Sequence, residues 1–182
     1  MGAVNVLYER FEKNLQAVNG NSWLADKADA AGIIAEAYQE AGIDSVCIAE
    51  SPLLEEIGLA KALADAGMKV YTDHIRLHAE TAKGGVLEAQ CAIADLGSIV
   101  QLGDDIDNRI VATMPEYCIG VVKLSEMVDD YDAMFDKLCS LETLPAFVGF
   151  VTGPSRTADI ECVSTVGVHG PLKLSVVVIN DV

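Results

Sequence analysis

The sequence has no Cys-x-x-Cys pair, although it contains five cysteines: Cys47, Cys91, Cys118, Cys139 and Cys162. Zinc knuckles and local iron–sulfur motifs need closely spaced cysteines, so neither is expected in this chain. An odd number of scattered thiols also gives no disulfide framework, which indicates a reducing compartment. We therefore predict that the chain itself binds no cofactor.

Basic residues are scarce. The chain has 12 Lys and Arg against 28 Asp and Glu, which gives a formal net charge of −16. Such a surface repels phosphate backbones and anionic lipids. Nucleic acid and membranes are therefore not expected as partners, and the charge itself is explained by solubility.

Long apolar runs are also missing. No stretch approaches the roughly 20 apolar residues that a membrane-spanning helix needs. Residues 1–20 carry charged residues at helical spacing, including Glu9 and Lys13, where a secretory signal needs an uninterrupted apolar stretch. We therefore expect a cytoplasmic protein.

Three common nucleotide-binding and hydrolase motifs are absent. The sequence contains no G-x-x-x-x-G-K-[ST], no G-x-G-x-x-G and no G-x-S-x-G. Phosphate binding of the first two kinds and a hydrolase nucleophile elbow are therefore unsupported.

The sequence does contain the alternating strands and helices that are typical of an α/β domain. "SVCIA" reads as a short buried strand, and Ser51-Pro52 cap the predicted helix "LLEEIGLAKALADAG", which is followed by the strand "MKVY". A strand–helix–strand unit predicts a parallel sheet with a right-handed crossover.

The remaining pattern extends this layout over residues 1–182, with no visible linker. Helices are predicted over residues 4–18, 28–41 and 124–140, and further strands at "YCIGVVK", "AFVGFV" and "LSVVVIND". Asp95-Leu96-Gly97 predicts a tight turn or hairpin. The fold class expected is a single three-layer α/β/α sandwich with a mainly parallel sheet and an N-terminal helix over residues 1–20.

The candidate binding site is the stretch "TGPSRTADIE", which follows the predicted strand "AFVGFV". Ligands of open α/β sheets bind beyond the carboxyl ends of strands. Gly153 would allow close approach of a ligand, and Ser155 or Thr157 could cap a turn whose amides face an anion. Arg156 offers a planar fork that matches a carboxylate or phosphate.

Groups that could move protons lie in the same region. Asp159 and Glu161 could orient Arg156 or act on protons, and His169 is the natural candidate for a group that titrates near neutrality. Ser98, after the Asp95–Gly97 turn, could present its hydroxyl beside this cluster if the two strands are neighbours.

Structural explanations of the same residues stay open. Gly-Pro pairs often punctuate loops, Arg156 could simply pair with Asp159 or Glu161, and His169 could be a hydrogen-bonded turn residue. His74 and His78 are at metal-ligand spacing on a helix, but no third ligand is near in sequence, which favours an exposed polar face.

The combination of "TGPSRTADIE", "GVHGP" and an apolar terminal strand resembles the signature of the LUD domain family, the lactate utilization protein C group. "AIADLGSIV", "ATMPEYCIGVVK" and "FEKNLQAVNG" are also similar to segments of that family. The resemblance implies a fold like the NagB/RpiA/CoA transferase group.

The resemblance also implies a function. It points to an accessory or non-redox subunit that works beside iron–sulfur partner proteins, which carry the clusters, in oxidising L-lactate to pyruvate. On this view Arg156 would hold a small carboxylate and His169 would transfer protons. Two alternatives remain: a non-catalytic module that binds a carboxylate or phosphate metabolite, and a stand-alone enzyme related to sugar-phosphate isomerases or acyl transferases.

Overall fold

The structure is a computed structural model that describes residues 3–154, 156–157, 165–166 and 170–182. The helices are α1 (Ala3–Ala17), α2 (Ala30–Glu40), α3 (Pro52–Glu56), α4 (Leu59–Asp65), α5 (Ile75–His78), α6 (Ile106–Thr113) and α7 (Tyr131–Cys139), with a 3-10 turn at Leu124–Glu126. The first strands are β1 (Asn21–Ala25), β2 (Ser45–Ile48), β3 (Lys69–Tyr71), β4 (Gly84–Glu88), β5 (Cys91–Ile93) and β6 (Ser98–Gly103). The remaining strands are β7 (Tyr117–Lys123), β8 (Met127–Val128), β9 (Phe147–Val151), β10 (Arg156–Thr157), β11 (Thr165–Val166) and β12 (Lys173–Ile179).

Six parallel strands form the main sheet, in the order β1-β12-β7-β4-β2-β3. The central strands β7 and β12 are buried along almost their whole length, which is why they read as continuous apolar runs. Alternate residues point to opposite faces, so Val177 packs with one layer of helices and Val178 with the other.

Helices cover both faces of this sheet. On one face α2, α3 and α4 bury residues such as Tyr38 and Leu63. On the other face α1, α5 and α6 bury Phe11, Ile75 and Val111. The predicted α/β/α sandwich with a mainly parallel sheet is confirmed.

A second sheet was not predicted. It contains four strands in the order β8-β5-β6-β9, and β5 and β6 form the hairpin expected around Asp95–Gly97. One face of this sheet, including Ile99, packs into the same core as α1 and the main sheet. The other face is covered by Met134 and Leu138 of α7.

The prediction that "AFVGFV" is a buried strand of the parallel sheet was wrong. β9 pairs antiparallel with β6 as an end strand of the second sheet, and every one of its residues is only partly buried. An apolar run of this length fits a buried parallel strand and an end strand equally well, so its local composition did not distinguish them.

Two helices were predicted too long. The helix expected after Ser51-Pro52 breaks into α3 and α4 at Gly58, whose φ is +67°. The helix expected over residues 124–140 begins only at Tyr131, because Asp130 caps it by accepting a hydrogen bond from the Ala133 amide at 2.8 Å. Met127, expected on that helix, lies instead in β8, which pairs with β5.

None of the described helices is long and apolar enough to cross a lipid bilayer.

Candidate functional site

The predicted site segment begins at the end of β9. Ser98, at the start of β6, lies beside Thr152, and their hydroxyl oxygens are 2.8 Å apart. The two strands, β6 and β9, are therefore neighbours, as expected. Ser98 is only 1% exposed and its hydroxyl is engaged by Thr152, so its role towards a ligand stays a prediction.

The position of this segment differs from the prediction. Gly153 has φ +114°, and a side chain there would place its Cβ 3.3 Å from the carbonyl oxygen of Val18. Val18 directly follows α1 and lies shortly before β1 begins. The end of β9 is therefore beside the amino end of a parallel strand, whereas ligand sites of such sheets lie at the carboxyl ends.

Most of the other predicted site residues lie outside the described part of the chain. These are Ser155, Asp159, Glu161 and His169. For Arg156 and Thr157 the structure describes only the backbone, which pairs as β10 with β11. The roles proposed for these side chains remain predictions.

The described residues form a cleft at the carboxyl ends of parallel strands instead. Its volume is about 280 Å³, and its lining comes from β2 and the residues after it, from α3 and α4, and from the residue after β3. The lining residues are Ile48, Ala49, Glu50, Ser51, Leu54, Glu55, Ala60 and Thr72. The volume is at the lower limit of typical small-molecule pockets, which run from roughly 300 to 1,000 Å³.

Ser51 is the most constrained polar group of this cleft. It is 5% exposed, caps α3 by accepting a hydrogen bond from the Leu54 amide at 3.2 Å, and donates to a carboxylate oxygen of Glu88. Glu88 ends β4, which is the neighbour of β2 in the sheet. The serine hydroxyl is therefore engaged on both sides, by the Leu54 amide and by the Glu88 carboxylate.

The electrostatics of the cleft favour some ligands over others. Glu50 and Glu55 are exposed at its rim, and its lining contains no lysine, arginine or histidine. Carboxylates accept hydrogen bonds and repel anions. The lining by itself therefore suits a hydroxyl-bearing or cationic group of a ligand.

Four of the five cysteines lie in the described part of the chain, and three of these are buried. Burial raises the pKa of Cys47 in β2 to about 11 and that of Cys118 in β7 to about 12. Burial also raises the pKa of Cys91, whereas Cys139 at the end of α7 is exposed. Thiolates are the reactive and metal-binding form, so burial favours the protonated, less reactive form of these three thiols.

The pair His74 and His78 does not form a shared helix face. His74 precedes α5 with φ +49°, and the ring of His78 stacks on Tyr71 with the ring centroids 3.9 Å apart. Within the described residues, no group of three or more His, Cys, Asp or Glu side chains is arranged to hold a metal ion.

The sequence identifies Ser51 only as a helix cap, and it does not mark Glu88 as a site residue. Both residues end or follow an apolar strand, in "SVCIAES" and "GVLE". This is the position where polar residues of a parallel sheet converge, so the signal was present for Ser51. Glu88 was missed because "GGVLE" starts with two glycines and does not read as a strand.

Comparison with known proteins gives consistent matches. The model of the LUD domain family matches residues 8–179. The chain is 31% identical to "Lactate utilization protein C" of Halalkalibacterium halodurans, over 98% of this chain and 79% of that one. It is 30% identical to "Uncharacterized protein YkgG" of Escherichia coli K12, over 87% of this chain and 72% of that one.

A solved structure has the same fold. The crystal structure of a DUF162 family protein from Deinococcus radiodurans superposes with a TM-score of 0.70 and covers 99% of this chain and 100% of that chain. The identity is 20%, so this likeness supports the fold and not a shared activity.

Proposed function

The chain belongs to the LUD domain family, and on that premise we propose that it takes part in the utilisation of L-lactate. Its role would be that of a subunit without redox chemistry of its own, in an iron–sulfur system that oxidises L-lactate to pyruvate. The observation that carries this proposal is the similarity to a protein named lactate utilization protein C along 98% of the chain.

The division of labour follows from the chemistry of the reaction. Oxidation of the lactate hydroxyl to a ketone releases an electron pair and protons, and the electrons need an acceptor. Clusters on partner subunits would supply that acceptor. The burial of Cys47, Cys91 and Cys118, which raises the pKa of each thiol, is in keeping with a chain that leaves this step to its partners.

The predicted anion site remains part of the proposal. Arg156 would hold the carboxylate and His169 would transfer a proton, with Gly153, Ser155, Thr157, Asp159, Glu161 and Ser98 around them. Bidentate pairing with arginine suits a small carboxylate.

A second candidate function is a non-catalytic module that binds a metabolite. The cleft supports it, because the Ser51 hydroxyl is held between Glu88 and the Leu54 amide and so serves as a fixed part of the wall. Such a cleft would contact a hydroxyl-bearing part of the ligand, while its charged end lies elsewhere.

The purified chain alone should bind L-lactate without oxidising it. We expect heat of binding in isothermal titration calorimetry, and no reduction of an artificial electron-accepting dye when dye and L-lactate are supplied together. Pyruvate serves as the control, since it has the carboxylate but no hydroxyl to oxidise. Dye reduction that depends on L-lactate and scales with the amount of chain would contradict a non-redox role.

A further inference from the structure

One backbone edge of β9 is open in the described structure. β9 is the last strand of the second sheet, and no described strand pairs with its outer side. On the inner side, Val100 of β6 bonds towards β5, since its carbonyl accepts a hydrogen bond from the Gln90 amide at 3.0 Å. Bonding direction alternates along an antiparallel strand, so the neighbours of Val100 bond towards β9, one of them to Gly149. The amides and carbonyls of Val148 and Phe150 therefore point outwards, away from β6.

The open edge carries no charge. Residues 143–155 contain no Asp, Glu, Lys or Arg, although the chain as a whole has a formal net charge of −16. Soluble proteins usually protect an edge strand with charged side chains, a bulge or a covering element, because free backbone groups otherwise pair with another strand. The two prolines of this stretch, Pro145 and Pro154, lie outside the strand and leave its own amides available. β9 is therefore suited to strand pairing with a second chain.

Two exposed aromatic side chains of α7 lie beside this edge. Tyr131 is 46% exposed and Phe135 is 44% exposed, with their ring centroids 4.9 Å apart. The Tyr131 centroid is 5.5 Å from that of Phe150. Lys137 lies on the opposite flank of α7 and pairs with Glu126, which directly precedes β8 at the far end of the sheet. The aromatic flank of α7 therefore faces the open side of β9.

The sequence of β9, "FVGFV", is complementary to itself. A two-fold axis at Gly149 would place two copies of the strand antiparallel, with Phe147 opposite Val151 and Val148 opposite Phe150 of the second copy. Every aromatic residue then faces a β-branched residue, and such cross-strand pairs stabilise sheets. The same register brings the outward amides and carbonyls of Val148 and Phe150 opposite each other, so the open backbone groups are the ones that pair.

We propose that the chain forms a two-fold symmetric dimer through β9, which joins the two four-stranded sheets into one continuous sheet. A two-fold interface uses the same surface on both copies, as the self-complementary strand requires. The axis is perpendicular to the sheet, so both α7 helices lie on the same face and each copy covers Tyr131 and Phe135 of the other. A partner recognised by charge would need charged groups at the contact, and β9 has none. This inference is independent of the proposed function.

Sedimentation equilibrium of the full chain over a range of concentrations should show monomers in equilibrium with dimers. Val148→Pro leaves the bonds to β6 in place but removes an outward amide and puts a ring there, so we expect the dissociation constant to rise at least about 10-fold. Phe135→Gln removes an exposed aromatic group and should raise it by about 10-fold. Leu77→Gln is the control, because Leu77 of α5 is 73% exposed and lies outside this surface. Thermal melts check that each variant is folded.

Amide hydrogen exchange, followed by NMR, distinguishes strand pairing from other modes of association. The amides of Phe147, Gly149 and Val151 already face β6, so we expect protection of these three in monomer and dimer alike. The amides of Val148 and Phe150 should exchange at least about 10-fold more slowly at concentrations where the dimer predominates.

Ionic strength gives a further check on the identity of the partner. Two acidic copies repel each other outside the contact, so raising the salt from about 0.1 to about 1 M, which shortens the screening length from about 10 to about 3 Å, should tighten the dimer. A chain that stays monomeric at millimolar concentration would overturn the inference. So would a dimer that neither Val148→Pro nor Phe135→Gln weakens, or one in which the Val148 and Phe150 amides exchange as fast as in the monomer. All of these results leave the proposed role in lactate utilisation in place.

Discussion

Replacing Gly97 with alanine should lower the free energy of unfolding by about 2–5 kcal/mol. Gly97 has φ +61°, and its added Cβ would lie 2.2 Å from the backbone nitrogen of Leu15 in α1. Backbone atoms of a helix cannot move aside as a flexible side chain does. The strain of the left-handed backbone and the collision with α1 therefore add. The change separates the β5–β6 hairpin from the N-terminal helix.

Urea denaturation measures this effect, with Gly42→Ala as the matched control. Gly42 has φ +69° but nothing within 4 Å of its added Cβ, so only the backbone strain of about 1–2 kcal/mol is expected. Equal losses in the two variants would show that Gly97 is needed for its backbone angle alone, and that the hairpin does not press against α1.

Replacing Ser51 with alanine should lower the free energy of unfolding by about 2.5–4 kcal/mol, the second largest effect we expect. The variant removes the cap of α3 and at the same time leaves the carboxylate of Glu88 without its serine donor. Loss of an N-cap alone costs about 1 kcal/mol, and a hydrogen bond to a charged group contributes about 1.5–3 kcal/mol.

Asp130→Ala is the control for the cap. Asp130 caps α7 by accepting a 2.8 Å hydrogen bond from the Ala133 amide. Among the described residues, its side chain makes no hydrogen bond outside that helix. Its replacement should cost about 1 kcal/mol, measured by the same denaturation experiment. If Ser51→Ala costs no more than Asp130→Ala, the bond to Glu88 contributes nothing to the wall of the cleft.

The parts of the fold that sequence predicts are those whose information is local. β2, β7 and β12 are continuous apolar runs because they are buried on both faces. The turn at Asp95–Gly97 is predictable because aspartate and glycine are typical turn residues. β4 is not predictable in this way, because Gly85 is required by a contact with a residue far away in the sequence. A Cβ there would lie 2.7 Å from the carbonyl oxygen of Val111, where α6 packs directly on the strand.

The site is harder to predict for the same reason. Ser51 was identified as a cap from its own neighbours, Pro52 and the apolar helix, and that prediction is confirmed. The hydrogen bond from Ser51 to Glu88 requires β2 and β4 to be neighbours in the sheet. The local sequence does not indicate which strands are neighbours.

The wrong placement of β9 has a consequence for function. The predicted site assumed that the chain leaves a parallel strand at Thr152, where ligands of such sheets bind. The structure puts that residue directly after β9, an end strand of the second sheet, where it lies beside Ser98 and the next residue, Gly153, lies against Val18. The carboxyl ends of the main sheet instead present the cleft around Ser51.

The most direct test of the account is growth of the native organism after removal of the gene for this chain. The account predicts that the deletion strain fails to grow on L-lactate as carbon source, grows normally on pyruvate, and recovers growth on L-lactate when the gene is returned. Normal growth of the deletion strain on L-lactate would contradict a role in lactate utilisation.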